Sequence, residues 1–156
     1  MDEKWMQEAI LLAKKAKEMG EVPVGAVIVK DGKLLCGAHN LREKNGMATA
    51  HAELLAIEEA CRILGDWHLC GCTLYVTLEP CPMCAGAIVN SRIDRVVYGA
   101  KDAAAGWCGS VLNFNHYPFN HAFELRGGVC EEECRAILQE FFQKARKNEE
   151  IGRAHV

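Results

Sequence analysis

Hydrophobic and polar positions change period several times along the chain, and each change marks an element. Trp5, Ala9, Ala13 and Ala16, with Met6, Ile10 and Leu12 alongside, recur at helical spacing and predict a helix from about Lys4 to Met19, ended by Gly20. Val22 to Lys30 is a near-continuous apolar run, the pattern of a buried strand, and Asp31-Gly32 turns it into a second run, Lys33 to His39, so a hairpin is expected. Gly25 inside the first strand implies close approach by another backbone or by a ligand. A polar loop, Leu41 to Ala48, precedes a helix over Ala50 to Leu64 that Gly65 ends. Thr73 to Leu78 is rich in β-branched residues and feeds a helix from Pro82 to Asn90 and a short strand, Arg95 to Tyr98. Strand, helix, strand at this spacing predicts a right-handed βαβ crossover. Lys101 to His121 has little periodicity and is expected to be a ligand-facing loop region. Phe123 to Leu125 then suits a last strand, and Cys130, Cys134, Ile137, Leu138, Phe141 and Phe142 trace the apolar side of a C-terminal helix.

Composition narrows the class. At 156 residues and 50% hydrophobic, the chain is expected to form one domain, residues 1–156, with a core of ordinary size. The run Val24 to Val29 is too short to cross a bilayer, and Met1-Asp2-Glu3-Lys4 lacks the features of a secretory leader, so a soluble, cytoplasmic protein with no membrane contact is expected. A net charge of −3 argues against strong nonspecific binding to nucleic acid but leaves room for a local basic strip. The nine cysteines have no regular disulfide spacing and suit reduced thiols. Cys36 and Cys61 fall in apolar patterns as small buried hydrophobes. No histidine accompanies Cys70 and Cys72 or Cys130 and Cys134, which makes either pair a weak second metal site.

Cys81 and Cys84 are different. They open a helix directly after a strand, their i and i+3 positions share one side of a turn, and Pro82 sits where its missing N–H costs nothing. Free backbone N–H groups at a helix start favour thiolates, the form that binds metal. Alone, Cys-x-x-Cys also fits closed structural zinc sites and redox pairs. His51-Ala52-Glu53, opening the preceding helix, adds the selectivity: one imidazole and two thiolates leave the fourth position of a tetrahedral zinc open for water, and Glu53 is placed to shuttle a proton. His-x-Glu followed by Pro-Cys-x-x-Cys is the zinc-deaminase pattern.

The wider sequence resembles the bacterial tRNA-specific adenosine deaminases, within the cytidine deaminase superfamily. The resemblance is carried by Glu21-Val22-Pro23-Val24-Gly25-Ala26-Val27, Thr49-Ala50-His51-Ala52-Glu53, Thr73 through Ala87 around the cysteines, and Ser91 through Ala100; it runs from about Trp5 to about Lys147. The zinc motif alone identifies only the superfamily. The resemblance implies an α/β fold, a three-layer α/β/α sandwich with a five-stranded mixed sheet. It also implies one Zn2+ per subunit on His51, Cys81 and Cys84, and a homodimer whose subunits both help form the RNA surface. The implied reaction is hydrolytic deamination of adenosine to inosine at the wobble position of a tRNA anticodon loop, with Glu53 passing protons from water to N1 and the departing ammonia.

Substrate contacts are implied at Asn40, Asp102, Val24, Leu78 and Phe142. Read from the residues alone, Asn40 suits a turn, Asp102 a turn or helix cap, and Phe142 the core. The chain departs from the family in two places. Asp102-Ala103-Ala104-Ala105-Gly106-Trp107 lacks the lysine that often follows the aspartate, and Lys144, Arg146 and Lys147 are followed by Glu149 and Glu150. Fewer phosphate contacts mean weaker, less salt-sensitive RNA binding. A deaminase of a free base, nucleoside or nucleotide, of guanine or cytosine type, is the alternative, since it keeps the same zinc chemistry; a noncatalytic zinc-stabilised module is the third class.

Overall fold

The computed structural model describes residues 1–154. Helix α1, Asp2–Glu18, buries Trp5, Met6, Ala9, Ile10, Ala13 and Ala16, the stripe expected from the sequence. The hairpin follows as β1, Gly25–Lys30, and β2, Lys33–His39, joined at Asp31 and Gly32 with φ of 52° and 72°, the left-handed pair that a two-residue turn of this twist requires. The first strand is shorter than its apolar run, because the Val24 N–H donates to the Val22 carbonyl across Pro23, which has no N–H of its own to give. The polar loop contains a single-turn helix, α2, Arg42–Asn45, which the sequence pattern did not indicate. Its cause is distant: the buried carboxylate of Glu21 accepts the N–H groups of Glu43 at 3.0 Å and Lys44 at 2.8 Å.

Helix α3, Ala52–Leu64, starts two residues later than the apolar pattern suggests because His51 keeps extended torsions as its N-cap, and it ends at Gly65 in the left-handed region, φ 64°. Strand β3, Cys72–Leu78, leads into α4, Pro82–Ser91, and then β4, Arg95–Ala100. Residues 101–123 are mostly irregular, with one 3₁₀ turn at Phe114–His116. Strand β5, Glu124–Arg126, and the long α5, Glu131–Ala154, complete the described chain.

The sheet has five strands in the order β2-β1-β3-β4-β5, antiparallel across its first two pairings and parallel across the last two. Helices α1 and α5 pack on each other and on the sheet, and α3 packs against α4, giving the layered α/β architecture expected. Gly25 allows the closest approach: a Cβ there would overlap the Ala9 carbonyl of α1, so the neighbour implied by this glycine is helix backbone. Among the described residues no helix is long and apolar enough to cross a membrane.

At the N-terminus of α1, buried Asp2 accepts from Tyr75 of β3 at 2.9 Å, from both terminal nitrogens of Arg95 of β4 at 2.8 Å, and from Arg126 of β5 at 2.6 Å. One carboxylate thus ties a helix to three strands. Arg95 holds its titration far below the usual carboxylate range against the opposing pull of burial, with help from Arg126 and Tyr75.

Candidate active site

Strand register assembles one end of the sheet. Gly25 pairs with His39 and, through its N–H, reaches the Thr77 hydroxyl at 3.1 Å, while Leu78 pairs with Ala100. The residues just beyond these positions, Val24, Asn40, Glu79 and Asp102, therefore gather with Leu78 at that end. Both α3 and α4 also begin there, at the carboxyl ends of parallel strands where open α/β sheets bind ligands.

His51 and Cys81 are the N-caps of the two helices, but neither side chain caps its own helix. They turn toward each other instead. His51 Nδ1 lies 3.6 Å from Cys81 Sγ and 3.6 Å from Cys84 Sγ, and the three donor atoms fall within 4.8 Å of one another. Tetrahedral zinc with ordinary Zn–N and Zn–S bonds sets nitrogen to sulfur about 3.5 Å apart, so both nitrogen–sulfur distances suit that ion. Cys84 is completely buried, while His51 and Cys81 are partly exposed, which leaves the cluster open on one side.

The electrostatics favour a cation as well. The S–H of Cys84 donates toward Cys81 and, with His51 and the Cys84 backbone, lowers the Cys81 thiol to about 4, whereas the neighbouring thiolate and burial push Cys84 strongly upward. These opposite shifts describe one negative charge held between two sulfurs, and a bound cation would let both ionise. Contact with Cys81 raises the His51 imidazole. Glu53 is 4% exposed, and burial, reinforced by the Cys81 charge, raises its carboxyl to about 7, in the range useful to a group that takes and returns protons at neutral pH.

Buried Asn40 turns its side-chain oxygen to the N–H of Ala52 at 2.8 Å. That bond fixes the amide orientation, and the NH2 group has no protein partner among the described residues. Val24 is buried and accepts the Asn40 N–H at 3.1 Å; Leu78 is partly buried at the end of β3. Asp102 makes the turn its residue type suggested, one carboxylate oxygen accepting from Ala104 and Ala105 at 3.1 Å. Phe142 stands apart on α5, 44% exposed and edge-on to Phe141, and is therefore not the core residue its spacing suggested. Neither weaker cysteine pair forms a metal cluster among the described residues; Cys70 is exposed and Cys72 buried, and Cys134 packs against Gly99.

Sequence reasoning assigned no role to Glu79, which is 1% exposed two residues before Cys81. An acidic residue between a strand and a ligand helix, with no basic neighbour in sequence, was the available signal.

A zinc-type cluster at the paired helix starts of a mixed sheet, with a buried glutamate beside it, defines a deaminase, and the model of the MafB19-like deaminase family matches residues 1–146. A tRNA-specific adenosine deaminase of Bacillus subtilis is 53% identical over 99% of this chain and 97% of its own length. A solved structure from a study of A-to-I editing by tRNA:A34 deaminases at the wobble position of transfer RNA superposes with a TM-score of 0.84 at 43% identity, covering 86% of this chain and 99% of that one. A guanine deaminase of Bacillus subtilis matches less of the molecule, 64% of each chain, at 42% identity and a TM-score of 0.61. The chain belongs to the tRNA-specific adenosine deaminases.

Proposed function

We propose that this protein converts adenosine to inosine at the wobble position of a tRNA anticodon loop, as a cytoplasmic homodimer with one Zn2+ per subunit. The observation that carries the chemistry is His51 Nδ1 at 3.6 Å from both sulfurs, with Glu53 buried beside them. His51, Cys81 and Cys84 hold the ion, which when bound supplies the Lewis acid that makes water a nucleophile at neutral pH. Glu53 removes a proton from the attacking water as the new C–O bond forms at C6 and delivers it to N1; it then takes the proton of the new C6 hydroxyl and passes it to the amine, so that the C–N bond breaks and ammonia leaves.

Asn40 presents its NH2 group to an acceptor on the purine, while Val24 and Leu78 offer apolar surface against the ring. Asp102 contacts RNA next to the target nucleotide, and Phe142 contacts it farther out. A base that reaches buried Glu53 must leave its stack, which suits the unpaired nucleotides of an anticodon loop. Relatedness over nearly the full chain supports RNA as substrate, and the shorter match to a guanine deaminase supports a free base less well. Dimer and compartment rest on the family resemblance.

The test incubates zinc-loaded protein with an anticodon stem-loop bearing a wobble adenosine and, in parallel, with free adenosine, cytidine, cytosine and guanine, reading products by mass spectrometry. Inosine in the stem-loop alone is expected. Turnover of a free base with the stem-loop untouched would overturn the RNA reading, and light scattering at assay concentration checks the dimer.

A further inference from the structure

Glu79 is a buried carboxylate that forms no ion pair among the described residues. Such a charge is tolerated only when hydrogen bonds replace its water. All of its side-chain partners come from one short segment. Oε1 accepts the Asp102 N–H at 3.1 Å and the Ser110 hydroxyl; Oε2 accepts the N–H groups of Cys108 and Ser110, each at 3.0 Å. The segment closes over the carboxylate so tightly that a Cβ at Gly106 would overlap the Glu79 carboxyl carbon. The main chain on either side of Glu79 joins the same arrangement: its N–H donates to Ala100 at 2.9 Å, and the Pro80 carbonyl accepts from Trp107 at 2.9 Å.

We propose that Glu79 is a positioning residue for substrate recognition: it fastens the 102–110 segment to the start of the cysteine helix, setting where Asp102 and Trp107 stand relative to the metal cluster. The inference rests on the wobble-adenosine reading for its substrate. Residues 101–113 carry no helix or regular strand, only an isolated bridge between Cys108 and Asn113, so little other regular backbone pairing fixes their place. Residues 79–81 couple the two parts of the site directly, since the next residue but one is a ligand. A segment held through its own N–H groups can keep this shape while its side chains vary, and here it carries Ala103, Ala104 and Ala105.

The test is Glu79→Gln. Glutamine has nearly the same volume but offers one acceptor oxygen, and its NH2 group faces backbone donors that it cannot satisfy. Zinc should remain near one per chain and kcat should stay within about threefold, while KM for the stem-loop rises about tenfold or more, as expected when a buried donor loses its partner. Amide exchange at Cys108 and Ser110 should quicken by a similar factor. Ser110→Ala removes one donor and should shift both readouts part of the way, and Gly106→Ala, whose methyl group would overlap the Glu79 carboxyl, should raise KM by forcing the segment and the carboxylate apart. Unchanged KM with fully protected amides would overturn the proposal. Activity lost in proportion to zinc would also overturn it, because Glu79 would then be supporting Cys81. If Glu79→Gln does not fold, the other two variants decide the question by the same readouts. Wild-type protein inactive on the stem-loop would end the wobble reading alone, while amide exchange would still report whether Glu79 anchors the segment.

Discussion

The Asn40 side-chain oxygen accepts the Ala52 N–H at 2.8 Å, so a residue expected to touch the purine also satisfies the first N–H of the helix carrying Glu53. His51 is the formal N-cap of that helix, but its side chain is turned to the sulfurs, and Asn40 takes over the capping bond from another strand end. Capping and recognition can be separated by substitution. Asn40→Asp keeps the acceptor and loses the donor; it should hold stability within about 0.5 kcal/mol and lower kcat/KM about tenfold or more. Asn40→Ala loses both and should also cost about 1–2 kcal/mol in urea denaturation. Equal stability losses in the two variants would remove the capping role.

Cys84 is completely buried, and its hydrogen bond to Cys81 together with burial pushes its thiol strongly upward, so a bound cation is what would favour its thiolate. Metal binding should therefore release protons and stabilise the fold together. Free zinc at a thousand times its dissociation constant adds about 4 kcal/mol, and chelation should lower Tm accordingly. Cys84→Ala should lose both the metal and the chelator effect. Glu53→Ala should keep about one zinc per chain while turnover falls by at least about a hundredfold, because only the proton carrier is gone. Metal analysis of the two variants beside their activities distinguishes ligand from proton carrier.

The clustering of His51 with Cys81 and Cys84 was legible in the sequence because its determinants are local. Pro82 and the two cysteines share one helical turn, and His51 and Glu53 open the next helix upstream. Most element boundaries came within two or three residues for the same reason: apolar period, Gly20, Gly65 and Asp31-Gly32 act where they stand. What escaped was set across the chain. The turn of α2 depends on Glu21, more than twenty residues before it, and the shape of residues 102–110 depends on Glu79. Buried carboxylates serving distant N–H groups leave no periodic trace. Phe142 shows the opposite limit, since helical spacing places an apolar side chain on a stripe but does not say where the stripe ends.

Asp2 should make stability depend on acid. Arg95 and its other partners hold the folded carboxyl below the usual range, while the unfolded chain titrates near pH 4. The stabilisation is fully present above that value; as pH falls through it, the unfolded chain takes up a proton that the folded chain resists, and stability declines toward the lower folded pKa. Asp2→Asn should cost about 3 kcal/mol at pH 7 by leaving Arg95 without its charged partner, and the gap from wild type should narrow by pH 3. A gap independent of pH in urea titrations would mean that packing, rather than charge, holds the helix start.

Phe142 is 44% exposed and bears little of the fold, so its replacement separates RNA contact from stability. Stacking of one unpaired base on an aromatic ring contributes about 1–3 kcal/mol. Phe142→Ala should therefore weaken stem-loop affinity at least about fivefold while Tm stays within about 1 °C of wild type. The exposed Lys144, Arg146 and Lys147 on the same helix should act differently. Removing one that meets a phosphate lowers the slope of log affinity against log salt by about 0.7, whereas loss of a stacked ring leaves that slope unchanged. Binding titrations at several salt concentrations would read both effects in one series. Wild-type affinity in Phe142→Ala, or a flat salt dependence in the wild-type protein, would mean that α5 stays clear of the RNA.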